Sequence, residues 1–358
     1  MGFVFSSETM VAHAYVGLAI VCLITVAMIL WIAVLRIRLY LNQHHQDNFQ
    51  ALWLPIFTDT ALHPDCHRKN AALPPLRRRD FFLFMNQWLD FQESLSGHAV
   101  VRMNGLARKL GLHEHARPFL LRGRVRHRFL AIAFLGALRD RNSWPDLETL
   151  LSHENSLLSL LAARSLIKIN QERALPLVFE ELARREDWPE NRVAVLLQSV
   201  LTAELATAPL FAALQNSTDS GAIKLLPYVE HMYNEEKNRI LRILLERSSS
   251  DRLTSRILKH IQCSHELELV RRYAGHSRWH IRMQAVAALG RIGQRAEIPL
   301  LLERLGDGEW WVRYRASQAL LKMPGMTRQE LEIIRDNLDD SFARTMLAQT
   351  LTEEEGQG

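Results

Sequence analysis

A repeat runs through the C-terminal two-thirds of this chain and constrains its fold more than any other feature. Placed one over the other, WHIRMQAVAALGRIG (279–293) and WWVRYRASQALLKMP (310–324) align at an offset of 31 residues. Trp279 falls on Trp310, Ile281 on Val312, Arg282 on Arg313, Ala285 on Ala316, Ala288 on Ala319 and Leu289 on Leu320. A second pair, NQERALPLVFEEL (170–182) and GQRAEIPLLLERL (293–305), aligns at 123, close to four times 31. It matches Pro176 with Pro299 and Glu180 with Glu303. One step back from Pro176 reaches Pro145, and Leu166 maps to Leu135, so the unit recurs over 125–350. Its copies between about 188 and 270 keep the shape with slipped spacing, as in RVAVLLQSVL followed by APLFAALQ.

Each unit reads as two helices. Ile281, Ala285, Ala288 and Ile292 recur at i, i+4, i+7 and i+11, which is one face of a first helix. Ile298, Leu301, Leu302 and Leu305 do the same in a second. Pro145, Pro176 and Pro299 are expected at second-helix starts, where a missing N–H costs nothing. Gly290 and Gly293 suit the turn between the helices, and the alanines let neighbouring helices approach closely. One such hairpin cannot bury both of its faces, so the units must stack on each other.

The pattern D-x4-V-R-x2-A-x2-A-L, carried by Asp307, Val312, Arg313, Ala316, Ala319 and Leu320, resembles HEAT repeats. The short period is similar to that of HEAT-like units in phycobilin-lyase-type proteins, against about 40–47 residues in longer HEAT repeats. The resemblance implies an all-α chain folded as an α-α superhelix, a HEAT/armadillo-type solenoid. It also implies a bacterial adaptor that offers its surface to a protein partner in an envelope-associated complex. Functional sites are grafted onto such folds individually, so the fold assigns no chemistry. The positions equivalent to Asp307 hold His276 and His153, so an Asp–Arg ladder between units is expected to be incomplete.

At the other end of the chain, residues 14–35 (AYVGLAIVCLITVAMILWIAVL) carry no charge. Twenty-two helical residues rise about 33 Å, enough to cross a hydrocarbon core of about 30 Å. Tyr15 and Trp31 lie near its two ends, where amphipathic rings favour the interface. Arg36 and Arg38 follow directly, without the basic leader or small-residue site of a cleaved signal. The expectation is a retained transmembrane helix with residues 1–13 as a short extracytoplasmic tail. Basic residues follow the span and none precedes it, which orients the C-terminal bulk toward the cytoplasm of a bacterial inner membrane. Three cysteines (22, 66 and 263) without paired spacing suggest no disulfide framework.

Charge is uneven along the chain. Residues 37–128 hold 14 Lys+Arg against 7 Asp+Glu, whereas 129–358 hold 29 against 31. Residues 36–79 read as a basic juxtamembrane linker, with HPDCHRKNAALPPLRRR (63–79) as its loop, and 80–124 as helical caps or irregular repeats. There, Asp80 is a plausible N-cap and Gly111 a helix stop. Residues 351–358 read as an acidic disordered tail. Arg77, Arg78 and Arg79, with Arg122, Arg124, Arg126 and Arg128, are the candidates for an anionic lipid or phosphate contact, because anionic headgroups attract such segments. The near-neutral repeat lacks the basic track that nucleic acid requires.

Motifs for nucleophilic, nucleotide and metal chemistry are missing: there is no G-x-S-x-G, P-loop, G-x-G-x-x-G, H-E-x-x-H or C-x2-C. His63, Cys66 and His67 lack the further ligand pair of a zinc site. The pairs His113-Glu114, His153-Glu154 and His265-Glu266 bear on a metal hydroxylase, because deoxyhypusine hydroxylase is a HEAT-repeat enzyme with His-Glu pairs. Here, though, they sit at unit junctions or outside the repeat. The corresponding first-helix positions hold Met283-Gln284 and Tyr314-Arg315. The expected function is therefore a non-catalytic scaffold without cofactor or metal. A bilin-lyase or metal-hydroxylase enzyme, or an anionic-lipid or nucleotide sensor, are the alternatives. Trp310 is expected to stack between repeats, as Trp279 does. Trp311, which does not recur, is the leading partner contact, with Tyr314, Arg313 and His280 beside it.

Overall fold

The computed structural model describes residues 7–63, 73–198 and 200–355, and it is helical throughout, with no strand among the described residues. The chain divides into two compact units, Met1–Leu138 and Arg139–Gly358.

The first unit comprises α1 (Ser7–Leu62), α2 (Phe81–Glu93), α3 (His98–Lys109), α4 (Leu112–Ala116), α5 (Pro118–Arg122) and α6 (Val125–Ala137). Along α1, every side chain described from Gly17 to Leu41 is exposed, and burial begins at Phe49. The helix is long and apolar enough to cross a membrane. The expected linker of 36–79 is instead helix through Leu62, because Phe49, Trp53, Phe57 and Ala61 form an apolar face at i, i+4, i+8 and i+12 that packs into the unit. Part of the expected loop, 64–72, lies outside the described residues.

Aromatic packing fixes the directions of three helices. Trp53 and Phe57 meet Phe84 edge-on at 4.8 and 5.2 Å, Phe57 lies 5.7 Å from Phe91, and His45 Nε2 lies 2.9 Å from Asp80 Oδ1. Contacts that advance together along both chains mean that α1 and α2 run parallel. The same holds for α2 and α6. Phe82 stacks on His127 at 3.8 Å, Trp88 meets Phe134 at 4.8 Å, and Gln92 donates to the Ala137 carbonyl at 3.0 Å. Asp80 precedes α2 without capping it through its side chain, since its buried carboxylate is engaged by His45. Gly111 stops the chain after α3 in the left-handed region at φ +68°, as expected.

The second unit continues with α7 (Trp144–Leu151), α8 (Ser156–Ile169), α9 (Gln171–Arg184), α10 (Glu190–Gln198), α11 (Ala203–Asn216) and α12 (Asp219–Leu225). It ends with α13 (Asn234–Arg247), α14 (Asp251–His260), α15 (Leu267–Ala274), α16 (Trp279–Ile292), α17 (Ile298–Leu305), α18 (Trp310–Leu321), α19 (Arg328–Asp336) and α20 (Ser341–Glu355). First helices α16, α18 and α20 pack one on the next, and α15, α17 and α19 each pack on the first helix that follows them. The repeat is written in burial: Ile281, Ala285, Val286, Ala288 and Leu289 of α16 are buried, as are Val312, Ala316, Ser317, Ala319 and Leu320 of α18. Leu158, Ala162, Ala163, Ser165 and Leu166 of α8 repeat the pattern.

Four local expectations differ from what forms. The first copy of the repeat opens with α6, which packs on α2 and α5 within the first unit. Gly290 is not in a turn but inside α16, where an added Cβ would lie 2.7 Å from Ala319 Cβ; it is there for the close approach of α18. Pro145 and Pro299 sit in the first turn of their helices, but Pro176 is inside α9. Asn170 accepts from the Arg173 N–H and starts that helix one turn early. Finally, the expected tail is helix to Glu355, anchored by buried Leu351, with residues 356–358 outside the described set.

Candidate functional site

The junctions before α8, α16, α18 and α20 are built to one plan. Asp307 Oδ1 accepts the Glu309 N–H at 3.0 Å, and Asp340 Oδ1 accepts the Phe342 N–H at 2.8 Å. Where the aspartate is missing, histidine replaces it: His276 Nδ1 accepts from the Arg278 N–H at 3.1 Å and His153 Nδ1 from the Asn155 N–H at 2.9 Å. The arginine six residues on closes the junction. Arg282 Nη1 donates to the His276 and Ser277 carbonyls, and Arg313 Nη1 to those of Asp307 and Gly308. Ser159 stands at that position after His153, and Arg185 reaches the His153 carbonyl instead, at 2.8 Å.

The Asp–Arg ladder has one bidentate rung, from Arg282 to the buried Asp307 at 2.8 and 2.7 Å. Burial pushes the Asp307 carboxyl up. The Arg282 guanidinium and the Glu309 amide outweigh this and hold it below the usual carboxylate range. A second ladder went unnoticed in the sequence. Arg242 binds Glu266 at 3.2 and 2.5 Å, Arg271 binds Glu297 at 2.8 and 2.5 Å, and Arg295 binds Glu330 at 2.9 Å. Glu266 and Glu297, 31 residues apart, are buried just before α15 and α17, where negative charge meets the helix dipole favourably. The 31-residue spacing of these two glutamates was the available signal.

Structural contacts engage one or more members of the pairs at 153 and 265, while at 113 the His113 Nδ1 is buried without a hydrogen-bond partner. Glu266 belongs to Arg242, His265 Nδ1 lies 3.2 Å from Cys263 Sγ, and His153 caps its junction. His113 Nε2 lies 3.9 Å from Glu114 in the first unit. Among the described residues, no three His, Cys, Asp or Glu side chains gather as metal ligands. His63 pairs with Asp59 at 3.0 Å, while Cys66 and His67 lie outside the described residues.

What remains for a partner is an aromatic edge at the start of three consecutive first helices. Trp279, Trp310, Trp311 and Phe342 are 39, 39, 50 and 68% exposed. Trp310 stacks on Tyr314 of its own helix at 5.0 Å and meets Trp311 edge-on at 4.7 Å. Tyr314 donates its hydroxyl to Glu353 at 3.0 Å, and that carboxylate holds the phenol above its ordinary value. Arg313 is committed to the junction, with its guanidinium carbon 5.6 Å from the Phe342 ring centre. His280 flanks Trp279 edge-on at 5.8 Å. Phe342 lies 31 residues after Trp311, a repeat signal that went unnoticed in the sequence, and the stacking of α20 on α18 brings it to this edge.

Of the candidate arginines, 77, 78 and 79 are exposed ahead of α2, and 122, 124 and 126 are exposed around the start of α6. The stack of Phe82 on His127 draws these two groups to one end of the first unit. Arg128 does not join them, because its Nε donates to the Leu120 carbonyl at 2.9 Å and its side chain is half-buried. A groove of about 570 Å³ in the second unit, bordered by Arg185, Lys224, Tyr228, Arg252 and Arg256, lies in the degenerate copies and had no sequence signal.

Comparison with known families places these features. The family described as HEAT repeats matches residues 239–321, which span α13 to α18 and reach back into the copies with slipped spacing. No curated protein matches the chain. Among solved structures, one similar chain is described as an engineered protein, 14% identical, with 76% of this chain and 85% of its own covered. Its TM-score of 0.34 is too low to carry an argument. Residues 239–321 are thus similar to HEAT repeats, and the burial pattern of α16 and α18 within that match recurs in α8, giving the all-α chain a HEAT-like solenoid fold.

Proposed function

We propose that the chain is a non-catalytic scaffold of a bacterial inner membrane, anchored by the apolar part of α1, with its N-terminus outside. Its repeats bind a protein partner in the cytoplasm, within an envelope-associated complex. The observation that carries this reading is the exposed aromatic edge of Trp279, Trp310, Trp311 and Phe342, beside junctions that already engage Arg282 and Arg313. Large aromatics dominate binding energy when a partner covers them, and repeat stacks offer extended surfaces for such partners. The non-catalytic part is supported by the structural engagement of His153 and Glu266, one member of each of two histidine–glutamate pairs.

The test is affinity purification of the full chain in mild detergent against an anchor-only control. A protein should co-purify with the full chain, and Trp311→Ala should reduce its recovery tenfold or more, in keeping with a hot spot worth about 2 kcal/mol. Failure of any protein to exceed the control would remove the scaffold reading.

A further inference from the structure

The first unit carries a surface suited to one particular partner. Because α1, α2 and α6 run parallel, the N-terminal ends of α2 and α6 lie at the level where α1 leaves its exposed apolar stretch. That end presents Arg77, Arg78, Arg79, Arg122, Arg124 and Arg126, all exposed. Apart from an approach of Arg79 to Asp80 at 3.6 Å, none of the six forms an ion pair among the described residues. Leu121 and Val125, both exposed large apolar side chains, alternate with these arginines. The uncharged stretch of α1 ends at Leu35, and from there to His45, which meets Asp80, the helix rises about 15 Å. The headgroup layer takes up about 5–8 Å of this rise, which leaves the helix starts one Debye length, about 8–10 Å, from the lipid charges.

We infer that this end of the first unit docks on the anionic lipid surface of the membrane that α1 enters, with Arg122, Arg124 and Arg126 on headgroups and Leu121 and Val125 at the acyl boundary. The inference rests on the anchored reading above. The mixture of unpaired cations and isolated exposed aliphatic side chains fits an interface that is charged above and apolar below. A free phosphate would use the arginines alone and leave Leu121 and Val125 in water. The docking would fix the tilt of the unit against the bilayer, which a single helix alone does not do.

The test uses the full chain with Cys22, Cys66 and Cys263 changed to Ser and an environment-sensitive fluorophore on Val125→Cys, reconstituted in lipid nanodiscs. Emission should shift to the blue in phosphatidylcholine discs containing one-third phosphatidylglycerol, relative to phosphatidylcholine alone. The shift should be lost in the triple variant Arg122→Gln, Arg124→Gln, Arg126→Gln and kept when the same three become Lys. Inorganic phosphate should not reproduce it. Stable incorporation with the same emission in both lipids would overturn the docking surface alone. A chain that failed to enter discs of either composition would overturn the anchored reading and the docking surface with it.

Discussion

Arg282 serves two junctions at once. Its guanidinium satisfies the His276 and Ser277 carbonyls ahead of its own helix and the Asp307 carboxylate ahead of the next. Truncating it leaves a buried carboxylate with only the more distant Arg304 at 3.7 Å, so Arg282→Ala should destabilise the second unit by about 3 kcal/mol in urea unfolding. The pH dependence has a definite sign. Asp307 titrates lower in the folded than in the unfolded chain, so its contribution is complete above the ordinary carboxylate pKa of about 3.9 and fades as pH falls through the lower folded value. The stability difference between the native chain and Asp307→Asn should therefore be largest near neutrality and shrink in acid. A difference independent of pH would refute the charge assignment. The histidines at the other junctions do the hydrogen-bonding half of this work without the ion pair. His153 and His276 each accept a backbone N–H at Nδ1, which places the ring proton on Nε2.

Helix contacts separate glycines that look alike in the sequence. Gly290 and Gly105 both lie inside helices, α16 and α3. A methyl group at 290 would press on Ala319 Cβ at 2.7 Å and Cα at 2.8 Å, whereas one at 105 meets nothing within 4 Å. Gly290→Ala should lose about 1–3 kcal/mol through overpacking, after any gain in helix propensity. Gly105→Ala should gain about 1 kcal/mol. Thermal unfolding of the two variants should move Tm in opposite directions, and a parallel shift would contradict the packing of α16 on α18. The glycine–alanine contact is the extreme of the close approach that the alanine pattern announced. Its exact partner became visible only when the two helices were stacked.

For the whole molecule, the exposed apolar length of α1 is the feature with the largest consequence. A continuous run of exposed Leu, Ile and Val along a helix is unstable in water and needs hydrocarbon or a partner to cover it. Under the proposed anchoring, the full chain should stay with the membrane pellet in alkaline carbonate, and deletion of residues 14–35 should release it to the supernatant. Release of the intact chain would point instead to an apolar protein partner as the cover for α1. The scaffold reading and the lipid-docking surface use different units, so Trp311→Ala should leave membrane attachment unchanged.

Periodicity alone fixed the helical class, the 31-residue unit and the burial of positions such as Ala285 and Ala316, because a residue that must face a neighbour in every copy leaves the same letter at the same step. The apolar length of α1 was equally plain, since span depends only on rise per residue and composition. Tertiary structure decided what depends on side chains meeting across repeats or across distant turns. It assigned Glu266 and Glu297 to Arg242 and Arg271, set Trp310 on Tyr314 of its own helix, and added Phe342 to the aromatic edge. It also brought Arg77–Arg79 to the arginines at 122–126, some 45 residues later, because parallel packing of α2 and α6 sets two helix starts side by side. No local pattern encodes that proximity, which follows from the direction in which each helix enters the core.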